Sequence, residues 1–272
     1  MQKYRNMIFL VSLILLGTFG CSQKNDVLIT EIGVTSAPAT VNPGNITPDS
    51  PQAFYNRGQQ LQSKGNLQGA LTAYNEAIKR NPKFAAAYNQ RGLVRFDQGD
   101  REGAIADYDR SIQLNPANPL AYNNRGNARA AQGDYNRAVQ DYDEAIRLDP
   151  RYADAYNNRG NARAAQGDRN AAISDYNRAI EINPNYAIAH NNRGNARAAQ
   201  GDRNGAIADY NRAIELNPNF AAAYNNRGNA YSVLGNKEKA IQDLQRAAEL
   251  FKNQGNLQLS RQINAQIESL QR

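Results

Sequence analysis

The chain has 272 residues, with 32 Lys and Arg against 25 Asp and Glu, a net charge of +7, one cysteine and one histidine. A lone cysteine excludes an internal disulfide, and Cys21 with His190 cannot build a metal centre of clustered thiolates and imidazoles. Apolar residues make up 41% of the chain and much of that share is alanine, so the core is thin and spread out. The isoelectric point near 9.5 raises the question of nucleic acid, which the placement of the arginines has to answer.

Residues 1–20 read as an export leader. Lys3 and Arg5 supply the positive start, and Met7 to Phe19 is a mostly apolar run of 13 residues. That length suits a signal peptide and falls short of the roughly 20 residues a membrane span needs. Residues 21–50 read as a linker, rich in Ser, Thr, Asn, Pro and Gly, with Pro38, Pro43 and Pro48. A segment of this composition cannot bury enough to order itself, and as a coil it reaches on the order of 30 Å. The junction Thr18-Phe19-Gly20-Cys21 resembles a bacterial lipoprotein cleavage site, although that motif prefers Leu at Thr18 and a small residue at Phe19. The resemblance implies lipidation at Cys21. It also implies a body held by the linker on the periplasmic side of a bacterial membrane.

Repetition dominates the rest. The segment NNRGNARAAQGD occurs unchanged at 123–134, 157–168 and 191–202, offset by 34 residues each time. A looser copy opens at Asn225, and degenerate ones open at Asn89 and Asn56. A fixed period of this length marks an array of stacked units, each packed on its neighbours. In the reference unit 153–186 a first helix is predicted from Ala153 to about Gln166. Gly167 ends it, and Asp168 caps a second helix that runs to about Asn183 before Pro184. Asp100, Asp134, Asp202, Asn66 and Asn236 are the equivalent caps, and Ser50-Pro51 and Asn118-Pro119 are further helix starts. Ala172, Ile173, Tyr176, Ala179 and Ile180 form the predicted buried stripe, facing the small Gly160 with Tyr156 alongside.

With Tyr156, Gly160, Ala172, Tyr176, Ala179 and Pro184 in the reference unit, the chain resembles a tetratricopeptide-repeat protein. The same set reads Phe54, Gly58, Ala70, Tyr74, Ala77 and Pro82 in the first unit. In the fifth it reads His190, Gly194, Ala206, Tyr210, Ala213 and Pro218. The resemblance implies an all-α, right-handed superhelical solenoid of six hairpins, over 51–84, 85–118, 119–152, 153–186, 187–220 and 221–252. In the sixth unit Lys252 stands where the others have proline, which lets its second helix run on. Residues 253–272 are predicted to cap the array, with Leu259, Ile263, Ile267 and Leu270 as the covering stripe.

On a helical wheel the first helix has two faces. Arg159, Gly160 and Arg163 lie on the packing side, and Asn157, Asn158 and Asn161 lie over Ala164 and Ala165 on the other. The amide strip recurs as Asn123, Asn124 and Asn127, as Asn191, Asn192 and Asn195, and as Asn225, Asn226 and Asn229, with Asn89 in the second unit. Three asparagines per helix cost stability that Glu, Gln or Lys would not. An amide donates and accepts, so it can pair with a peptide group. The resemblance places first helices along a concave groove, where such a strip is similar to the asparagine ladder of the O-linked N-acetylglucosamine transferase. It is unlike the carboxylate clamp of chaperone-binding members, which needs Lys and Arg in the groove.

Arg159 and Arg163, with Arg125, Arg129, Arg193 and Arg197 equivalent, repel at i,i+4 unless neutralised. Asp175, Asp141 and Asp209 flank the second helices and are the expected partners. This puts the basic excess away from the amide strip, and no basic run is interleaved with aromatics, which argues against nucleic acid. His190 stands in a structural tyrosine position, and no nucleophile motif, phosphate loop or metal spacing is present, which argues against catalysis, a cofactor or a small-molecule substrate. The expected function is a non-catalytic scaffold or adaptor that binds extended polypeptide segments. The alternatives are a structural or assembly-factor subunit of an envelope or pilus complex, and a transient assembly chaperone.

Overall fold

A computed structural model describes residues 47–272. The leader, Cys21 and nearly all of the expected linker lie outside the described residues. These contain thirteen α-helices and fall into two compact units, one ending at Asp134 and one spanning Tyr135–Arg272.

The first unit holds α1 (Pro51–Ser63), α2 (Leu67–Arg80), α3 (Ala85–Asp97), α4 (Arg101–Leu114) and α5 (Pro119–Ala131). Helices α1 and α2 pair as one hairpin and α3 and α4 as the next; α2 also packs on α3, and α4 on α5. The second unit holds α6 (Tyr135–Leu148), α7 (Ala153–Ala165), α8 (Arg169–Ile182), α9 (Ala187–Ala199), α10 (Arg203–Leu216), α11 (Ala221–Val233), α12 (Lys237–Asn253) and α13 (Leu257–Gln271). Its hairpins are α7 with α8, α9 with α10 and α11 with α12. Helix α13 packs on α12, and α9 also touches both α7 and α11.

The helix ends follow the residues read as signals. Asp168 accepts the amide of Ala171 at 3.0 Å, and Asp100 and Asp202 accept those of Gly103 and Gly205 at 2.9 Å. Ser50 accepts from Ala53 at 3.1 Å with Pro51 in the first turn. Each such cap supplies about 1 kcal/mol. Gly167 takes φ 89°, a left-handed geometry that lets the chain double back and costs a side-chain-bearing residue dearly. The second helices end on a feature not read from the sequence. The side chains of Asn81, Asn183 and Asn217 accept the backbone N–H two residues on, at 3.0–3.1 Å, turning the chain around the following proline.

Packing rests on one close approach per hairpin. A Cβ built on Gly160 would stand 2.7 Å from Cε1 of the Tyr176 ring, and on Gly194 2.6 Å from that of Tyr210. The tyrosine rings therefore pack directly against glycine backbone, with no room for a side chain between them. Ala172, Tyr176 and Ala179 are buried as expected, whereas Ile173 and Ile180 are only half-buried, and Tyr156 is half-buried beside Arg159. Helix α12 runs 17 residues against 14 for α8, as the missing proline at Lys252 allows. Ile263 and Ile267 of α13 cover Leu244, Ala247 and Ala248, with Leu259 and Leu270 packed beside them.

Candidate functional site

Burial divides the expected strip into three columns with different environments. The first column is Asn89, Asn123, Asn157, Asn191 and Asn225, which are 6%, 4%, 3%, 1% and 7% exposed. These residues are not on an open face, which corrects the wheel reading. A neighbouring first helix covers that flank, and a wheel drawn for one helix cannot show its neighbour. Asn192 Nδ2 donates to Asn157 Oδ1 at 3.0 Å, Asn226 Nδ2 to Asn191 Oδ1 at 3.0 Å, and Asn124 Nδ2 to Asn89 Oδ1 at 3.2 Å. At Asn89, Asn157 and Asn191 the first column is thus the acceptor side of a bond from the first helix of the following repeat.

Asn124, Asn192 and Asn226 of the second column supply the donors of these bonds. Asn192 donates to both Asn157 and Asn161, and its oxygen accepts from Asn191 Nδ2 at 3.3 Å. Asn226 is buried outright at 8%, a second departure from the expected strip. Asn124 and Asn158 are half-buried.

The third column faces out. Asn161 and Asn195 are exposed, and Asn127 and Asn229 are half-buried. The oxygens of this column are engaged from behind: Tyr176 Oη donates to Asn161 Oδ1 and Tyr210 Oη to Asn195 Oδ1, each at 2.8 Å. Gln266 of α13 plays the equivalent part, donating to Asn229 Oδ1 at 2.7 Å. Burial, reinforced by the charges of Asp175 and Asp209, pushes both phenols above their ordinary range, so they remain O–H donors at neutral pH. Along α9 the open stripe is Ile188, Asn192, Asn195 and Ala199; along α7 it is Asp154, Asn158, Asn161 and Ala165. Val233, the counterpart of Ala199 on α11, is 60% exposed. Apart from Asp154 this surface carries no charge. In the first unit the column is interrupted, with Leu93 at the third position of α3 and Asp97 one turn on, a carboxyl that burial pushes upward.

Arg159, Arg163, Arg193 and Arg197 pair as anticipated. Arg159 reaches Asp175 at 2.6 Å and Arg163 reaches it at 2.8 Å, while Arg193 and Arg197 hold Asp209 at 2.6 and 2.9 Å. Arg91 and Arg95 clasp Asp107 in the first unit. A second contact was not anticipated: Arg159 also meets Asp143 at 2.6 Å, Arg193 meets Asn177 at 2.7 Å, and Arg125 meets Asp109 at 2.6 Å. Arg159 and Arg193 therefore each tie together second helices of consecutive repeats. The signal for it was present, since Asp or Asn stands sixteen residues before each arginine as Asp stands sixteen after. Burial alone would raise the Asp209 carboxyl, but His190, Arg193 and Arg197 outweigh it and hold it below its ordinary value. His190 itself is 7% exposed, with Nε2 3.2 Å from the Pro184 carbonyl oxygen. Among the described residues no group of His, Cys, Asp or Glu side chains could hold a metal ion.

A family model described as TPR repeat matches residues 58–99, 92–133, 126–167, 160–201 and 194–235, and one described as tetratricopeptide repeat matches 221–258. The chain belongs to the tetratricopeptide-repeat family. Among solved tetratricopeptide structures it is similar to MamA, at 26% identity over 64% of this chain and 96% of that one, with a TM-score of 0.55. It is also similar to YrrB, described as a TPR protein with an unusual peptide-binding site, at 25% identity over 71% of this chain and 98% of that one, with a TM-score of 0.53. Pseudomonas aeruginosa pilF, at 16% identity, 79% and 97% coverage and a TM-score of 0.67, shares the fold. No curated protein sequence matches the chain. Repeats of this family and these neighbours point to a protein–protein interaction scaffold.

Proposed function

We propose that this tetratricopeptide protein is a non-catalytic adaptor that binds extended polypeptide segments along its first-helix face. The observation that carries the reading is the third amide column. Asn161, Asn195 and Asn229 recur once per repeat on a nearly charge-free surface, and none of their Nδ2 groups is spent on the inter-repeat bonds that engage Asn157, Asn191, Asn192 and Asn226. Uncharged donors at regular intervals suit a main chain, which offers a carbonyl at every residue whatever its sequence. YrrB, with its peptide-binding site, supplies a precedent for such use of the fold.

The sequence also supports export and anchoring. Lys3 and Arg5, the run Met7 to Phe19, and Gly20-Cys21 together support removal of the leader and lipidation at Cys21, with the linker holding the repeats off a bacterial membrane on its periplasmic side. Among the described residues no helix is long and apolar enough to cross a membrane.

The test is capture from a membrane extract by the intact protein and by a variant with Asn161, Asn195 and Asn229 replaced by alanine, followed by mass spectrometry. The adaptor reading expects specific partners that the triple variant loses while its melting temperature holds. Partners captured equally by both proteins would move the interface elsewhere and favour a structural or assembly role built on the second helices.

A further inference from the structure

We propose that the first-helix face of the second unit presents hydrogen-bond donors with their acceptors turned inward, so that it takes an uncharged, extended polypeptide through that ligand's carbonyl oxygens, with Tyr176 and Tyr210 as the positioning residues. This deepens the adaptor reading above and rests on it.

A side-chain amide brings two N–H donors and an oxygen with two lone pairs. On Asn161 both lone pairs are taken, one by Tyr176 Oη at 2.8 Å and one by Asn192 Nδ2 at 3.1 Å. Its Nδ2 is what remains, on an exposed side chain. On Asn195 one donor holds the oxygen from behind, Tyr210 Oη at 2.8 Å. On Asn229 that donor is Gln266 Nε2 at 2.7 Å in place of the phenol. Behind this row Asn192 has spent both donors and accepts from Asn191, so it has little left to offer. A freely rotating asparagine could turn either end to a ligand, but these cannot turn without breaking a bond from behind.

The phenols hold because their rings cannot move. Each lies on a helix backbone at a glycine, Gly160 or Gly194, where even a Cβ would come within 2.7 Å of the ring, and each ring is 2% exposed. The glycine is therefore part of the site at one remove. It lets the ring in, the ring aims the hydroxyl, and the hydroxyl sets which end of the amide faces out.

The ligand's chemistry follows. A neutral N–H donor matches a neutral peptide carbonyl. A carboxylate would lose its hydration with no cation nearby to compensate, because Arg159, Arg163, Arg193 and Arg197 are engaged with Asp175 and Asp209. The bare alanines Ala165 and Ala199, with Ile188 and Val233, leave room for small apolar side chains beside the amides.

The experiment is fluorescence anisotropy with a labelled peptide of alternating threonine and alanine, acetylated and amidated so that it bears no charge. Three proteins are compared with the intact chain: Asn161→Asp with Asn195→Asp, Tyr176→Phe with Tyr210→Phe, and all four changes together, each checked for its fold by thermal melting. The carboxylate keeps the oxygen that the phenol holds and replaces outward N–H groups by an acceptor, so binding is expected to weaken about tenfold or more. The phenylalanine pair is expected to weaken it severalfold, and to add nothing once the aspartates are present, because a positioning role vanishes with the group it positions. Equal or tighter binding by the aspartate protein would overturn the donor assignment while leaving the face as the site. A phenylalanine effect that simply adds to the aspartate effect would overturn the positioning role. No binding of the uncharged peptide by the intact protein would overturn this inference, while the adaptor reading falls only if the membrane capture is unchanged by the triple alanine variant.

Discussion

At the scale of single residues, glycine and aspartate carry more of this protein than their size suggests. Gly160 has no substitute. Alanine there gains up to about 1 kcal/mol of helix propensity, but its Cβ would press on the Tyr176 ring at 2.7 Å, and overpacking of this kind costs about 1–3 kcal/mol. Gly160→Ala is therefore expected to lower the melting temperature and to weaken peptide binding, since the displaced ring carries the hydroxyl that holds Asn161. Asp175 is 3% exposed and neutralises two guanidinium groups that are themselves well covered. Asp175→Ala strands part of that charge and is expected to cost about 2–3 kcal/mol in urea unfolding. The Asp209 carboxyl sits below its ordinary value because His190, Arg193 and Arg197 outweigh its burial. A lowered folded value means that the stabilisation is complete above about pH 4–5 and drains away as the pH falls further. Melts recorded against pH should be level near neutrality and fall in acid, and Asp209→Asn should melt lower at pH 7 with a shallower acid decline.

At the scale of the helix and hairpin, the sequence was close to transparent where the period speaks and opaque where neighbours decide. The 34-residue offset, the Asp168 cap and Gly167 placed α7 and α8 to within a residue or two, because helix ends are set by local bonds. The wheel separated Arg159 from Asn161 correctly for the same reason. It misplaced Asn157, which lies against a helix about one repeat away, and the sequence of one helix carries no mark of which flank its neighbour will cover. Asn191 and Asn226 are amides spent on holding repeats together, and nothing in their local sequence distinguishes them from Asn195, which is not. The Tyr210–Asn195 bond joins residues fifteen apart on two helices, a spacing that becomes meaningful only once the hairpin is built. Helix α13 was legible as a stripe of Leu259, Ile263, Ile267 and Leu270, but the role of Gln266 in holding Asn229 was not. Because α13 covers Leu244, Ala247 and Ala248, a chain ending at Asn253 should melt lower and aggregate, losing hydrophobic cover worth about 2–5 kcal/mol for each large apolar side chain removed. Light scattering and thermal melts would show it. A truncated chain as stable and soluble as the whole would deny α13 its capping part.

At the scale of the whole molecule, the net charge of +7 misleads if taken as a patch. A large share of the arginine is committed to Asp107, Asp175, Asp209 and Asp243 inside the repeats, and the first-helix face is left almost neutral. Composition alone does not reveal that these guanidinium groups are paired inside the repeats. The proposed anchor belongs to this scale too. The mass of the mature N-terminus should show Cys21 as the first residue carrying acyl chains, and an unmodified cysteine there would overturn the proposed lipidation. Above both stands the proposed contact between the outward amides of the third column and the ligand. It is tested most directly by asparagine-labelled NMR of the side-chain amide groups during titration with the uncharged threonine–alanine peptide. The account predicts that the signals of Asn161, Asn195 and Asn229 shift while those of the buried Asn191 and Asn226 stay in place. Shifts confined to asparagines of the second helices, such as Asn177 and Asn211, with the third column unmoved, would contradict it.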